Sequence, residues 1–416
     1  MQDLCVAYAP LNNSMDSGIY ISVPFCRSKC TYCNFASGVF SAGQMGRYVE
    51  RVGEDIRSIR VYADKLGAVV PETADTIYLG GGTPSLLPAE DLKRLFSAVK
   101  QEFNIAMQAE ITVECAPGTL SDSVIETLVA CGVNRVSLGV QSFVDKEAAS
   151  VARLHTREKT LSDIERLRQA GISNINVDLI AGLPHQTRES WEYSVEQAIA
   201  TGAPHVSIYM LEVDEDSRLG RELMAGGTKY HAHFVPDDDL TADFYELACE
   251  RLNAAGIKQY EISNFARTGF ESRHNLKYWT RQPYLGFGVD AHSMLPAKTD
   301  DRASGQGTEN VRLATTDDYD GFFIAPKWQA NAIGREQALE ERFFLGLRLN
   351  SGVNIKELQK EFGSISDHHQ AIIAELMKDD LLQQSENSIQ LTPRGRLLSN
   401  EVFARFISDQ PAETRA

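Results

Sequence analysis

Short apolar runs alternate with longer amphipathic stretches through the first half of the chain. After the first run, Tyr48, Val52, Ile56 and Ile59 recur every three to four positions, which is the spacing of one helical face. The short runs are mostly rich in Val, Ile or Leu, as strands covered on both faces are. They predict six strands, at Ile19–Val23, Thr76–Gly80, Glu110–Glu114, Arg135–Val140, Asn174–Ile180 and His205–Met210. This order is typical of parallel strands joined by helical crossovers in an α/β fold.

Six such units leave two architectures open, a doubly wound open sheet and an incomplete βα barrel. In both, the loops that follow the carboxyl ends of the strands form the functional site. The chemically informative residues fall in five of these loops: Cys26–Cys33, Gly80–Ser85, Glu114–Cys115, Gln141 and Gly182–Pro184. We therefore expect these loops to line one pocket.

The alternation of strands and helices weakens after Gly226. We expect a core at 1–226, an extension of it at 227–299, a linker or exposed loop at 300–335 and a C-terminal domain at 336–416. The C-terminal pattern resembles a mostly helical winged helix, with helices expected at Glu336–Leu349, Ile355–Phe362, His369–Leu382 and Arg394–Ile407 and a strand at Ser388–Leu391. This region holds nine basic and thirteen acidic residues, so packing or partner contact is favoured over DNA binding.

Composition and charge narrow the class of protein. The chain of 416 residues is 43% apolar and 24% charged, as soluble globular proteins are, and its net charge of −16 disfavours binding to nucleic acid or anionic lipid. No apolar run approaches the ~20 residues that span a bilayer. Residues 1–18 lack the pattern of a secretion signal. We expect a cytoplasmic protein whose seven cysteines are not a disulfide framework.

Three of these cysteines, Cys26, Cys30 and Cys33, are spaced C-x3-C-x2-C. Thiolates so close together repel one another unless a cation holds them, which favours iron or zinc. Zinc would need a fourth protein ligand, and the nearest histidine in the sequence is His155. On a four-iron cluster, three cysteines leave one iron open to a small chelating molecule.

The cysteine spacing, with Tyr32 before the last cysteine, resembles the signature of the radical S-adenosylmethionine (SAM) superfamily. The resemblance implies a [4Fe-4S] cluster whose open iron binds the amino acid part of SAM, and an incomplete (β/α)6-type barrel. Gly80–Ser85 resembles the GGGTP loop of that family. Further residues match family positions that bind SAM, which gives the predicted cofactor site Tyr20, Gly81, Gly82, Thr83, Glu114, Gln141, Arg153 and Asp178.

Within that superfamily, the chain most resembles the HemW family of haem chaperones, which is related to oxygen-independent coproporphyrinogen III oxidase. Phe35 stands where the oxidase has a further cysteine, and only 25 residues precede Cys26. His274-Asn-Leu-Lys-Tyr278-Trp279 matches the HNxxYW motif associated with haem. Segment 267–281 carries four basic residues and one acid, which suits anionic haem propionates.

The resemblance implies that His274 binds haem iron while Tyr278 and Trp279 stack on the macrocycle, with Arg273, Lys277 and Arg281 for the propionates. The alternative is that His274 and Trp279 pack an interdomain loop. Asp290 departs from the family pattern and is expected near the pocket, with His292 as a second candidate ligand.

The function implied is delivery of haem to an acceptor protein, with an electron donor such as a flavodoxin or ferredoxin. Contact with a membrane is expected only at its periphery, through the acceptor. Two alternatives stay open: a radical SAM enzyme, either the oxidase or a HemN-like methylase or cyclopropanase, and an iron–sulfur scaffold without catalysis.

Overall fold

The structure is a computed structural model that describes residues 16–215, 217–298, 308–324 and 327–408. Its first six strands are parallel and lie side by side in chain order. They are β1 (Ser17–Ser22), β2 (Thr73–Gly80), β3 (Asn104–Cys115), β4 (Arg135–Gln141), β5 (Asn174–Ala181) and β6 (His205–Met210). All six predicted strands are confirmed, with β3 longer at its start than expected.

Helices follow each of these strands. They are α1 (Ala42–Lys65), α2 (Ala89–Glu102), α3 (Asp122–Cys131), α4 (Asp145–Ser150), α5 (Arg157–Gln169), α6 (Arg188–Ala200), α7 (Arg218–Met224) and α8 (Asp238–Ala254). A doubly wound sheet reverses its strand order midway. Here the order runs from β1 to β6 without reversal, so the predicted incomplete (β/α)6 barrel is confirmed and the doubly wound alternative is wrong.

Helix α1 shows how local sequence sets these elements. Ser41 and Gln44 form a capping box that starts the helix. The predicted face of Tyr48, Val52 and Ile56 is wholly buried against the sheet. Burial of that face, more than helix propensity, holds α1 in place.

The sheet extends beyond both edges of the barrel strands. Strand β9 (Tyr284–Phe287) pairs in parallel with β1, and β8 (Asn264–Ala266) pairs antiparallel with β6. The remaining elements of this region are β7 (Lys258–Gln259), α9 (Arg273–Trp279), β10 (His292–Pro296), β11 (Thr308–Ala314) and β12 (Gln329–Gly334). Strands β1 to β12 therefore form one sheet.

The expected linker or exposed loop at 300–335 is corrected by the structure. Strands β11 and β12 pair antiparallel and form an outer edge of the main sheet, and the short turn Gly321–Phe323 between them buries Phe322. Alternation of buried Val311 and Leu313 with polar neighbours is the period-2 pattern of a strand. That signal is only a few residues long and follows a polar stretch, part of which lies outside the described residues.

The C-terminal region forms a second core with its own sheet. Its elements are α10 (Arg335–Gly346), β13 (Val353–Asn354), α11 (Ile355–Phe362), α12 (Asp367–Lys378), β14 (Leu382–Ser385), β15 (Ser388–Leu391), α13 (Pro393–Leu397) and α14 (Ser399–Ala404). The three strands pair antiparallel in the order β13-β15-β14, which agrees with the predicted winged-helix pattern. The single last helix that we expected is two short helices, since the backbone leaves helical geometry at Leu398.

A buried ion pair joins this region to the sheet. Glu341 of α10 is 2% exposed and accepts hydrogen bonds from Arg281 and Arg312, each at 2.8 Å. Removing one partner of such a group leaves an uncompensated buried charge, which is strongly destabilising.

None of the helices in the described part of the chain has both the length and the apolar composition of a membrane span.

Candidate functional site

The three predicted cluster cysteines lie in the loop between β1 and α1, at the carboxyl end of the strands, and all are partly buried. The amide of Cys26 donates to the carbonyl of Gly38 at 2.8 Å, which fixes the start of the loop. Burial raises the pKa of the Cys26 thiol, and the nearby thiols of Cys33 and Cys30 raise it further, while the hydroxyls of Ser37 and Thr83 oppose the shift. The three sulfurs are therefore close enough for charge on one to disfavour charge on another.

This environment fits a bound cationic cluster. Burial and the neighbouring thiols both oppose the thiolate form of Cys26, and positively charged iron would relieve both. Cys26, Cys30 and Cys33 are the residues that would hold it. Among the described residues, no three His, Cys, Asp or Glu side chains already stand in position to hold a metal ion, so the cluster ligands stay a prediction.

The glycine loop after β2 packs directly against the chain that enters the cysteine loop. A Cβ on Gly82 would lie 2.5 Å from the carbonyl oxygen of Val23 and 2.9 Å from the amide nitrogen of Phe25. The amide of Thr83 donates to the carbonyl of Phe25 at 2.7 Å. Only glycine fits at position 82, and its place brings the Thr83 hydroxyl towards Cys26.

Glu114 lies near the end of β3, beside the glycine loop. The Tyr78 hydroxyl donates to its Oε1 at 2.8 Å, and the amide of Gly81 donates to its Oε2 at 3.1 Å. Burial raises the pKa of Glu114 to about 7, although both hydrogen bonds oppose the shift. This carboxyl group therefore changes charge near neutral pH, and a neighbouring cation would favour its ionised form.

Gln141 and Arg153 carry buried polar atoms that have no hydrogen-bond partner within the described structure, Oε1 of Gln141 and Nε of Arg153. They converge on Gly139, where a Cβ would lie 2.9 Å from an Arg153 guanidinium nitrogen and 3.1 Å from the Gln141 amide nitrogen. Gln141 also has a left-handed φ of 68°. Leaving such groups unpaired costs about 1–3 kcal/mol each, so a polar ligand that satisfied them would bind favourably.

Asp178 and Tyr20 complete the predicted SAM site from deeper in the barrel. Asp178 accepts hydrogen bonds from Ser137 at 3.0 Å and Asn176 at 2.7 Å, and burial raises its pKa. The Tyr20 hydroxyl lies 2.9 Å from the point where a Cβ on Gly81 would stand. These side chains are held in place by the protein itself.

A cavity of about 270 Å³ opens beside the cysteine loop. It brings together three of the predicted site residues, Cys30, Thr83 and Arg153, which come from three separate loops. Tyr20, Glu114 and Asp178 are not among the residues that line it. The loops after β1, β2, β3 and β4 meet at this cavity, whereas the fifth expected loop, Gly182–Pro184, does not line it. The predicted residues divide between an open cavity and the barrel interior.

The HNxxYW motif lies elsewhere in the barrel. It forms α9, and His274 lies against Gly18 and Thr76, which pair with each other in β1 and β2. That level is four residues below the carboxyl ends of these strands, a distance of ~13 Å along the strand direction. The motif therefore fills the barrel interior towards the amino ends of the strands, away from the cysteine loop.

His274 is 1% exposed, and both of its ring nitrogens are engaged. Nδ1 lies 2.8 Å from the Thr76 hydroxyl and Nε2 lies 2.8 Å from the Tyr278 hydroxyl. Burial, with Lys277 and Arg135 nearby, lowers the pKa of His274 to about 3, so the ring is neutral. Iron could reach Nε2 only if Tyr278 moved.

The other motif residues are also engaged inside the protein. Tyr278 packs edge-on against Tyr284 with ring centres 4.6 Å apart, and the guanidinium of Arg348 lies 4.4 Å from the centre of the Trp279 ring. The three cations proposed for propionates each pair with a carboxylate: Arg273 with Asp75 at 3.5 Å, Lys277 with Asp75 at 2.7 Å and Arg281 with Glu341 at 2.8 Å. These surroundings agree with the packing alternative for the motif.

Tyr78, the partner of Glu114, was not predicted from the sequence. Its signal was weak, because an aromatic residue two places before a glycine loop in an apolar strand is common. Asp290 has a left-handed φ of 56°, burial raises its pKa, and it contributes to the raised pKa of Tyr20. It is not among the residues that line the cavity beside the cysteine loop, so its expected place near the pocket stays a prediction. His292 lies 3.9 Å from Asp290.

Comparisons with known proteins agree with this architecture. The family model of the radical SAM superfamily matches residues 20–198, and that of the HemN C-terminal domain matches residues 333–398. The solved structure of coproporphyrinogen III oxidase (HemN) from Escherichia coli, a radical SAM enzyme, has a TM-score of 0.78 at 21% identity, covering 94% of this chain and 90% of that one. At this identity the likeness shows the fold.

Two relatives are similar over nearly their whole length. Heme chaperone HemW from Lactococcus lactis is 34% identical over 394 residues, covering 94% of this chain and 97% of the relative. Heme chaperone HemW from Bacillus subtilis is 33% identical over 395 residues, covering 94% of this chain and 99% of the relative. The chain thus belongs to the HemW family of haem chaperones within the radical SAM superfamily.

Proposed function

We propose that this protein binds haem and passes it to an acceptor protein, and that it carries a [4Fe-4S] cluster with exchangeable SAM. The observation that carries the proposal is the similarity to named haem chaperones, which extends through 97% of the Lactococcus lactis relative. The relatives' name implies haem and an acceptor. The electron donor, peripheral membrane contact through the acceptor and a cytoplasmic location stay predictions from the resemblance.

In this proposal, Cys26, Cys30 and Cys33 hold the cluster, and SAM lies between the cysteine loop and the ends of β2 to β5. When bound and reduced, such a cluster supplies an electron for cleavage of a carbon–sulfur bond of SAM. Arg153 pairs with the SAM carboxylate through its planar guanidinium, and Gln141 offers a free amide oxygen to a donor. Their unpaired buried atoms support these roles.

Glu114 and Asp178 act as acceptors for the polar groups of SAM. The SAM ammonium or a ribose hydroxyl beside Glu114 would favour the carboxylate form of a group whose pKa is about 7. Gly81 and Gly82 allow the close approach of backbone, although the amide of Gly81 already donates to Glu114. Thr83 and Tyr20 orient the cysteine and glycine loops.

Ligation of haem iron by His274, with Tyr278 and Trp279 on the macrocycle, is the family expectation and stays a prediction. It requires the Tyr278 hydroxyl to leave Nε2 of His274, a distance of 2.8 Å in this structure. A local opening of α9 would expose the ring.

The proposal is tested by anaerobic reconstitution followed by analysis of iron, sulfide and bound haem. We expect four irons and one haem per chain, and loss of haem when a haem-free acceptor protein is added. Protein that binds no haem contradicts the proposal. Formation of protoporphyrinogen from coproporphyrinogen with SAM and reductant would favour the oxidase instead.

A further inference from the structure

His185, His231, His233 and Phe234 contact one another after β5 and β6, and helix α7, which carries exposed Leu223 and Met224, packs against the segment Lys229–Phe234. We infer that haem is held on this surface, with Nε2 of His231 as an iron ligand; this rests on the proposed function. The residues, called the His231 surface below, are His185, Leu223, Met224, His231, His233 and Phe234.

The imidazoles of His231 and His185 are arranged like a metal-binding histidine and the hydrogen-bonded group that orients it. Nε2 of His185 lies 3.2 Å from Nδ1 of His231. If Nδ1 of His231 carries the proton and donates it to His185, Nε2 of His231 keeps a free lone pair. A second hydrogen-bonded partner of this kind fixes the tautomer and orientation of a metal-binding histidine. Within the described residues, Nε2 of His231 has no hydrogen-bond partner, and the side chain is exposed.

The backbone holds this pair in an unusual conformation. His185, Tyr230 and His231 have left-handed φ angles of 69°, 57° and 60°. Residues other than glycine adopt this region rarely, and they do so mainly where neighbouring structure imposes it, often at functional sites. The amide of His185 donates to the carbonyl of Phe234 at 3.0 Å, which ties the loop after β5 to the segment that carries His231.

The surroundings suit a flat apolar molecule with two carboxylates. Phe234, Leu223 and Met224 are 46%, 43% and 68% exposed, and the Phe234 ring centre lies 4.0 Å from that of His185. Three cations belong to the neighbouring segments: Lys146 is close enough to influence His185, and exposed Lys229 and Arg221 come from the segments that carry His231 and Leu223. In contrast to the three cations around the HNxxYW motif, none of these forms an ion pair among the described residues.

The His231 surface is also joined to the cysteine loop. The amide of Leu219 in α7 donates to the carbonyl of Thr31 at 2.8 Å, and the Asn34 side chain donates to Asp214 at 3.0 Å. Haem on this surface would therefore lie at the end of the barrel that carries the predicted cluster. His274 is buried nearer the opposite end.

The test is haem titration of the full-length protein and of three variants, His231→Gly, His368→Gly and His274→Ala. Glycine accepts the left-handed φ at position 231 and leaves room for added imidazole. His368 is an exposed histidine in α12 and serves as the matched control. We expect H231G to weaken haem binding at least tenfold and to lose the histidine-ligated spectrum, with imidazole restoring it, while H368G binds haem as the unaltered protein does.

Unaltered affinity and spectrum in H231G would overturn the inference, and loss of haem in H274A with its fold intact would assign the iron to His274. Absence of haem binding by the unaltered protein would overturn the proposed function itself, so the two failures are distinguishable. Equal losses in H231G and H368G would show haem adsorbed on surface histidines, which also overturns the inference.

Discussion

Tyr78 and Glu114 are joined across neighbouring strands by a hydrogen bond of 2.8 Å that links the barrel interior to its open end. The bond opposes the rise of the Glu114 pKa, which burial brings to about 7. Tyr78→Phe removes the bond, so the pKa rises further and less carboxylate is present at pH 7. A rise of about one pKa unit would lower the carboxylate fraction at pH 7 from about a half to about a tenth, so we expect SAM affinity to fall roughly fivefold at pH 7 and to recover by pH 9. Calorimetry of SAM binding between pH 6 and 9 measures this, and a pH-independent loss would contradict it.

Glu114 also makes the stability of the free protein depend on pH. Its folded pKa is above its usual value of 4.5, so its stabilising effect is complete below pH 4.5 and is lost as the pH rises through 7. Glu114→Gln, which cannot ionise, should flatten the decline in the free energy of unfolding between pH 5 and 8. Denaturant titrations at these pH values measure the slope. An unchanged slope in the variant would show that another group titrates there.

The iron content of cysteine variants tests which residues hold the cluster. Cys26→Ser, Cys30→Ser and Cys33→Ser should each remove most of the reconstituted iron, because thiolate is the ligand that iron prefers here. Cys249→Ser is the matched control, since Cys249 lies in α8, outside the cysteine loop, and should keep its iron. Iron and sulfide analysis after anaerobic reconstitution measures both. Full iron in any of the three loop variants would show that its cysteine is not a ligand.

Arg153→Lys separates binding of SAM from binding of the cluster. Lysine keeps the charge but loses the planar fork that pairs with a carboxylate. We expect SAM affinity to fall at least tenfold while iron content stays as in the unaltered protein. If both fall together, Arg153 supports the cysteine loop through Tyr32 and Cys30, which lie beside its guanidinium, and does not bind SAM directly.

His274 is expected to contribute to stability through Thr76 and Tyr278. His274→Ala leaves both hydroxyls unpaired in the interior and should lower the free energy of unfolding by about 2–4 kcal/mol. Its folded pKa of about 3 lies below the usual 6.5, so its contribution is present above pH 6.5 and is lost as the pH falls towards 3. The variant should therefore lose less stability on acidification. Thermal unfolding at pH 7 and 5 tests this, and equal acid sensitivity would contradict it.

The sequence predicted the barrel strands because each is a short apolar run, buried on both faces and bounded by loops. It predicted the cysteine loop because three thiols in eight positions are hard to explain otherwise. The position of α9 inside the barrel could not be predicted, because no local sequence pattern indicates which end of a barrel a helix occupies. Strands β11 and β12 were missed because their alternation is short and next to polar sequence. The His231 surface was missed because its two central histidines, His185 and His231, are separated by 46 positions.

Haem titration of anaerobically reconstituted, full-length protein separates a haem carrier from a radical SAM oxidase. We expect saturation at one haem per chain with the absorption spectrum of histidine-ligated iron, beside a [4Fe-4S] cluster that responds to added SAM. A protein that forms the cluster, takes up no haem and converts coproporphyrinogen to protoporphyrinogen would contradict this expectation.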